Sequence, residues 1–182
     1  MPIEADDRAQ LVRLARAAVE ASVTGSMLPR VEALKGLLGE KRGCFVTLTN
    51  RGSLRGCIGT FQPDRPLGEL IVHMGAAAAH DSRFALNPIT ASELPHLKVE
   101  VSVLSPLRET AEPDKLEIGK HGIYIVRGRW AGCFLPEVAT DMGWSAEEFL
   151  SQCCAGKAGL PADAWKQEGT TVYLFTSEKF DS

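Results

Sequence analysis

Apolar positions first recur at helical spacing over residues 4–22. Leu11, Leu14, Ala15, Ala18 and Val19 form one stripe, and Arg8, Arg13 and Arg16 stand off it. That spacing predicts an amphipathic helix. Residues 44–49 then read as a strand, Asn50-Arg51-Gly52 supplies turn chemistry, and Leu54 to Phe61 reads as the returning strand of a hairpin. A second helix is predicted over residues 67–80, with Leu67, Leu70, Ile71, Met74, Ala77 and Ala78 on its stripe. Thr90 and Glu93 have capping-box spacing, but Pro95 allows only a short helical turn there. Leu97 to Leu104 alternates cleanly, with Leu97, Val99, Val101 and Val103 on one face and Lys98, Glu100 and Ser102 on the other. This is the clearest strand in the chain.

Residues 105–120 carry Pro106, Pro113 and many charges, and read as a long connection or a subdomain boundary. Beyond them, Ile123–Arg127 and Trp130–Leu135 read as a second hairpin around Gly128. Ser145 and Glu148 form a capping box for a helix through about Lys157, closed by Gly156 or Gly159. Thr171 to Thr176 reads as a closing strand. Hairpins and helices without strand–helix alternation predict an α+β fold with a mainly antiparallel sheet and flanking helices. The expected organisation is a single domain over residues 1–182, with a smaller subdomain set off near residues 105–120. The echo between Gly56-Cys57-Ile58 and Gly132-Cys133-Phe134 is too short to be a repeat. Trp130, Trp144 and Trp165 are expected in the packing of the core or the subdomain.

Composition narrows the function classes. The chain has 182 residues, 45% of them hydrophobic and 24% charged, with a net charge of −3, which suits a globular protein with one sizeable core. That charge gives no field for phosphate backbones or anionic lipid, so neither nucleic acid nor membrane is an expected partner. No apolar run approaches the roughly 20 residues that span a bilayer. The opening, Met1-Pro2-Ile3-Glu4-Ala5-Asp6-Asp7, is acidic rather than signal-like, and the expected compartment is the cytoplasm. Five cysteines (Cys44, Cys57, Cys133, Cys153 and Cys154) show neither a disulfide framework nor a C-x-x-C pair, so free thiols are expected. No two glycines stand two apart, which excludes the dinucleotide fingerprint. Gly119-Lys120 is not the end of a phosphate loop, because Asp114 and His121 occupy the positions that would need Gly and Ser or Thr. There is no G-x-S-x-G, no H-E-x-x-H and no C-x-x-x-C-x-x-C. No metal site and no cofactor are signalled.

The densest unusual stretch is Leu54-Arg55-Gly56-Cys57-Ile58-Gly59-Thr60-Phe61. On a regular strand Arg55 and Cys57 share a face, about 7 Å apart. A cation there would favour the thiolate, the nucleophilic and metal-binding form. Gly56 and Gly59 inside a strand suggest a bulge or a close backbone approach. A two-residue loop at 50–51 would set Cys44 opposite Cys57, and a three-residue loop would set Phe45 there. On residue type alone, Cys57 as a small buried hydrophobe and Arg55 as a solvated edge charge is the favoured reading. Gly119-Lys120-His121-Gly122 offers a cation and an imidazole on a glycine-flanked turn, suited to base or anion contact, or simply a tight turn. Asp81 and Arg83 suit an orienting ion pair, or a surface pair of little worth. Glu100 is placed to pair with Arg55 or Lys98. The thiols of Cys153 and Cys154 would point about 100° apart on a helix, with one in the core.

The Leu54–Phe61 octapeptide resembles the signature of the AMME chromosomal region family, whose prokaryotic members are called AmmeMemoRadiSam system protein A. The resemblance runs from Gly43-Cys44-Phe45-Val46-Thr47-Leu48 to Tyr173-Leu174-Phe175. It includes Asp81-Ser82-Arg83-Phe84, Val99 to Ser105, Gly119 to Gly122 and Phe134 to Ala139. Departures are Cys133-Phe134, where the family usually has aliphatic residues, and Ser82, where it usually has proline. The resemblance implies an α+β fold with a smaller subdomain and a cleft near the signature. It also implies association with a Memo-like protein and a radical SAM protein, and it supplies no reaction.

The leading expectation is an accessory or binding protein of such a modification system. Its cleft, lined by the Leu54–Phe61 strand, would hold a small molecule, peptide or partner loop. Leu54, Gly56, Ile58, Gly59, Asp81, Arg83, Glu100 and Lys120 are its candidate lining residues. The alternative is an enzyme with Cys57 as nucleophile, Arg55 holding the thiolate or an anionic substrate, and His121 as base. A further alternative is thiol redox or metal handling at Cys57 beside Cys44.

Overall fold

The structure, a computed structural model, describes residues 2–182. It is an α+β fold of two antiparallel four-stranded sheets with helices. The chain forms two compact units, residues 1–104 with 178–182, and residues 105–177. Among the described residues no helix is long and apolar enough to cross a membrane.

The first unit opens with α1 (Ala5–Thr24), which buries Leu11, Val12, Ala15, Ala18 and Val19 and stops at Gly25, whose φ of 71° no β-carbon would tolerate well. The strands β1 (Cys44–Asn50) and β2 (Ser53–Thr60) form the expected hairpin. The helix α2 (Leu67–Ala78) follows, and β3 (Leu97–Leu104) matches its predicted span. The strand order is β2-β1-β3-β8, where β8 is Ser177–Asp181, so β2 is an edge strand. Alternation puts Val46, Leu48, Val99 and Val101 on one face of the sheet, and these join Leu11, Leu70 and Ile71 in the core. Two loop cysteine expectations fail here in an informative way. The turn residues are Arg51 and Gly52, both at positive φ (50° and 82°), and the register then shifts between Leu48 and Thr49. As a result Cys57 stands opposite Thr47, while Cys44 stands opposite Thr60 and Val103. Neither Cys44 nor Phe45 faces Cys57.

The second unit contains β4 (Arg108–Thr110), β5 (Gly122–Arg127), β6 (Trp130–Phe134) and β7 (Thr171–Phe175), ordered β4-β7-β5-β6. Its helices are α3 (Pro136–Met142) and α4 (Ala146–Cys153). The Ser145–Glu148 capping box forms in both directions. The helical path continues as one wide turn over Cys154–Ala158 and ends at Gly159, with φ 70°. Both Cys153 and Cys154 are buried, at the junction of α4 and that wide turn. Phe149, Leu150, Ile123, Ile125 and Trp165 build this unit's core, with Trp144 packed against it. Trp130 differs from expectation: it is half exposed on the hairpin, with the Arg129 guanidinium 5.0 Å from its ring. The pattern of apolar residues does not mark α3 or β8. Pro136 at the first position of α3 is the one start signal, and β8 reads as polar.

Candidate functional site

The site grows out of the irregularity in β2. Leu48 pairs with Gly56 and Thr49 with Leu54, so Arg55 is the extra residue of a bulge. Both causes suggested by the glycines are present. A β-carbon on Gly56 would run into the carbonyl oxygen of Ala78 at the end of α2, and one on Gly59 would meet the Cys44 carbonyl and the Phe45 ring. The bulge breaks the alternation that would have set Arg55 beside Cys57. Arg55 is only 9% exposed. Its Nε donates to Glu93 at 2.6 Å and its Nη2 donates to Glu93 at 3.1 Å and to the Asn87 carbonyl at 3.0 Å. Asn50 Nδ2 donates to the same carboxylate at 3.0 Å. The Arg55 hydrogen bonds hold the Glu93 carboxyl below its ordinary range, against burial. Glu93 therefore serves Arg55 rather than capping the turn at Thr90, whose side chain makes no cap bond.

Asp81 lies just past α2 and is 4% exposed. It accepts the backbone N–H of Cys57 at 3.0 Å and the Arg83 backbone N–H at 3.1 Å. The Arg83 guanidinium clamps it at 2.6 Å and also donates to the Cys57 carbonyl at 3.2 Å. The Arg83 hydrogen bonds hold the Asp81 carboxyl far below the usual carboxylate range, and the N–H groups of Cys57 and Arg83 add to this against burial. The predicted Asp81–Arg83 pair therefore exists, and it ties down both backbone groups of Cys57 on an otherwise open sheet edge. Cys57 is half-buried, with Sγ 3.2 Å from Thr47 Oγ1. The Phe84 ring has the Cζ atoms of Arg55 and Arg83 each 5.8 Å from its centre.

A cavity of about 280 Å³ opens beside this constellation, lined by Arg55 and by Ala79, His80, Asp81, Phe84, Ala85, Pro88 and Ile89. Of the signature strand, Arg55 alone contributes to its wall. Leu54 is 40% exposed, and Ile58 packs against the core. Segment 79–89, which sequence reasoning entered only at Asp81 and Arg83, supplies most of the lining; Glu93 gave no signal beyond its capping spacing.

Glu100, Lys120 and His121 are not among the residues that line this cavity. Glu100 is 3.9 Å from Lys179, and Lys98 pairs with Asp181 at 2.8 Å, so Glu100 pairs with neither Arg55 nor Lys98. Lys120 and His121 belong to the second unit, on a turn that needs the positive φ of Gly119, 85°. Lys120 pairs with Glu117 at 3.2 Å. His121 Nδ1 accepts the Glu117 backbone N–H at 2.9 Å, and burial lowers the imidazole pKa. Cys44 is fully buried, and burial pushes its thiol up to about 12. The adjacency behind redox or metal handling by Cys44 with Cys57 is therefore not formed. Among the described residues, no group of three or more His, Cys, Asp or Glu is placed to hold a metal ion.

The chain has relatives over most of its length and a counterpart of the same fold among solved structures. The family model AMMECR1 matches residues 12–180. A protein of Methanothermobacter thermautotrophicus is 40% identical over 187 residues, covering 98% of this chain and 96% of its own. Protein MJ0810 of Methanocaldococcus jannaschii is 39% identical over 93% of this chain and 87% of its own. The crystal structure of uncharacterized protein PH0010 from Pyrococcus horikoshii superposes with a TM-score of 0.83 at 38% identity, covering 99% of this chain and 93% of that one.

Proposed function

The chain belongs to the AMMECR1 family, and on that premise we propose that it is a cytoplasmic accessory protein of an AmmeMemoRadiSam-type modification system, holding a ligand in the cleft beside its signature strand. Its partners are a Memo-like protein and a radical SAM protein. One observation carries the binding reading: the charged side chains around the cleft are paired with one another. Arg55 is held by Glu93, and the backbone of Cys57 is held by Asp81 and Arg83. Side chains locked in this way make a rigid wall for recognition, whereas a general base needs a lone pair free to take a proton. His121 lacks one at Nδ1, where the Glu117 N–H binds, and that bond puts the proton of the neutral ring on Nε2. Affinity purification of the tagged protein from its native host under mild conditions is the test. Recovery of the Memo-like and radical SAM proteins is expected; recovery of neither overturns the proposal.

One feature favours a second reading, in which Cys57 is a nucleophile. It is half-buried where Cys44, Cys153 and Cys154 are fully buried, and a guanidinium hydrogen-bonds to its own carbonyl. Alkylation of the native protein, read thiol by thiol by mass spectrometry, decides it. Labelling at Cys57 faster than a free thiol near neutral pH supports the nucleophile. Labelling only on unfolding removes it.

A further inference from the structure

We infer that the ligand of the 280 Å³ cleft is a small, uncharged molecule that presents an amide carbonyl to Arg55 and an apolar ring to Phe84 and Ile89. This rests on the reading that the cleft holds a ligand, and it names the ligand's chemistry.

The first argument is charge. Two cations and two anions surround the cavity, and they are paired internally, Arg55 with Glu93 and Arg83 with Asp81, each at 2.6 Å. The two ion pairs sum to zero, and His80, the remaining titratable group on the wall, has its Nε2 3.3 Å from the Ser22 carbonyl. A charged ligand would give up its hydration and find no uncompensated partner in either ion pair.

The second argument is donor capacity. A guanidinium has five N–H groups. The Arg55 Nε and Nη2 groups are spent on Glu93 and the Asn87 carbonyl. Nη1 makes no hydrogen bond to the described residues and stays open to solvent where Arg55 lines the cavity. A ligand that displaces this solvent must return an acceptor oxygen to the two N–H groups, and a neutral amide carbonyl supplies one without adding charge.

The third argument is shape. Apart from His80, the rest of the wall is apolar (Ala79, Phe84, Ala85, Pro88 and Ile89), and the volume suits one ring with a short polar arm, at the small end of ordinary ligand sites.

The test uses three probes on the full chain that share a ring and differ in charge: benzamide, benzoate and benzamidine. Binding is followed by NMR of the alanine and isoleucine methyl groups. Benzamide is expected to move the Ala79 and Ile89 methyls and to bind about tenfold or more tighter than either charged probe. Arg55→Lys keeps a cation for Glu93 but removes the free N–H pair, and should weaken benzamide about tenfold to a hundredfold. Ala85→Leu, at an exposed position on the cavity wall, fills the space without touching Arg55 and should abolish binding. Tighter binding of benzoate or benzamidine overturns the amide assignment and leaves the cleft reading standing. Absence of any methyl shift with all three probes overturns both. Benzamide shifts that persist in Ala85→Leu place the binding elsewhere and overturn the assignment.

Discussion

Asp81 shows how much one carboxylate can organise. It is buried, it accepts a backbone N–H from the signature strand, and its charge is answered by Arg83. Removing that charge by Asp81→Asn leaves the Arg83 guanidinium without its counter-ion, and should cost about 1–3 kcal/mol at neutral pH. The sign of the pH dependence follows from the lowered pKa. The unfolded carboxyl titrates near 3.9. Folding therefore favours the ionised form, and the stabilisation is complete above that value and fades as pH falls toward the folded pKa. The gap between wild type and Asp81→Asn should be widest at pH 6 and shrink below pH 4, as read by urea denaturation. A constant gap would mean that the charge of Asp81 is not what stabilises. At this scale the sequence was legible in part. Asp81 and Arg83 are two residues apart, so their pairing could be read from local spacing. The partner of Arg55 could not, because Glu93 lies 38 residues away and meets it only across a bulge.

Among the elements, β2 is held by what its glycines omit. Gly56 lets the end of α2 come so close that a β-carbon would overlap the Ala78 carbonyl, a backbone atom that no rotamer change can move. Gly132 in β6 has the same role, since its β-carbon would lie 2.5 Å from the Ala158 nitrogen and 2.7 Å from the Lys157 side chain. The short echo between the two Gly-Cys segments thus corresponds to one packing solution used in both units, a hairpin strand in contact with the end of a helical segment. Gly56→Ala should destabilise by about 1–3 kcal/mol or more through overpacking, visible as a lower denaturation midpoint. Gly128→Ala, with nothing within 4 Å, loses only the ease of its positive φ of 58° and should cost about 1 kcal/mol. A smaller loss at Gly56 than at Gly128 would refute the close-approach account. Elements with a sustained period (α1, α2, β3 and the two hairpins) were legible in the pattern. By contrast, α3 is seven residues long and β8 five, too short for a period to stand out.

The described residues build two cores, and both hold buried free cysteines: Cys44 in the first, Cys153 and Cys154 in the second. Burial raises the pKa of all three above the ordinary thiol value, and brings Cys44 to about 12. Folding thus favours the protonated thiols, and the protein should lose stability as pH rises beyond about 8.5, where the unfolded thiols ionise. Cys44 alone should account for about 2 kcal/mol between pH 7.5 and pH 10, under reducing conditions. Denaturation of wild type and Cys44→Ala at both pH values checks this: the variant should lose less, and equal losses would show that Cys44 ionises as readily in the fold as in solution. The sequence by itself determined the α+β class, the hairpins, the helix faces and the signature, because each depends on residues within one or two turns of chain or one strand pair. The tertiary structure decided the bulge at Arg55, the register that sets Thr47 rather than Cys44 against Cys57, and the Glu93 and Asp81 clamps around the cavity. The physical reason is that a register is a sum over long-range pairings, and a one-residue shift reassigns the neighbours of every side chain that follows it.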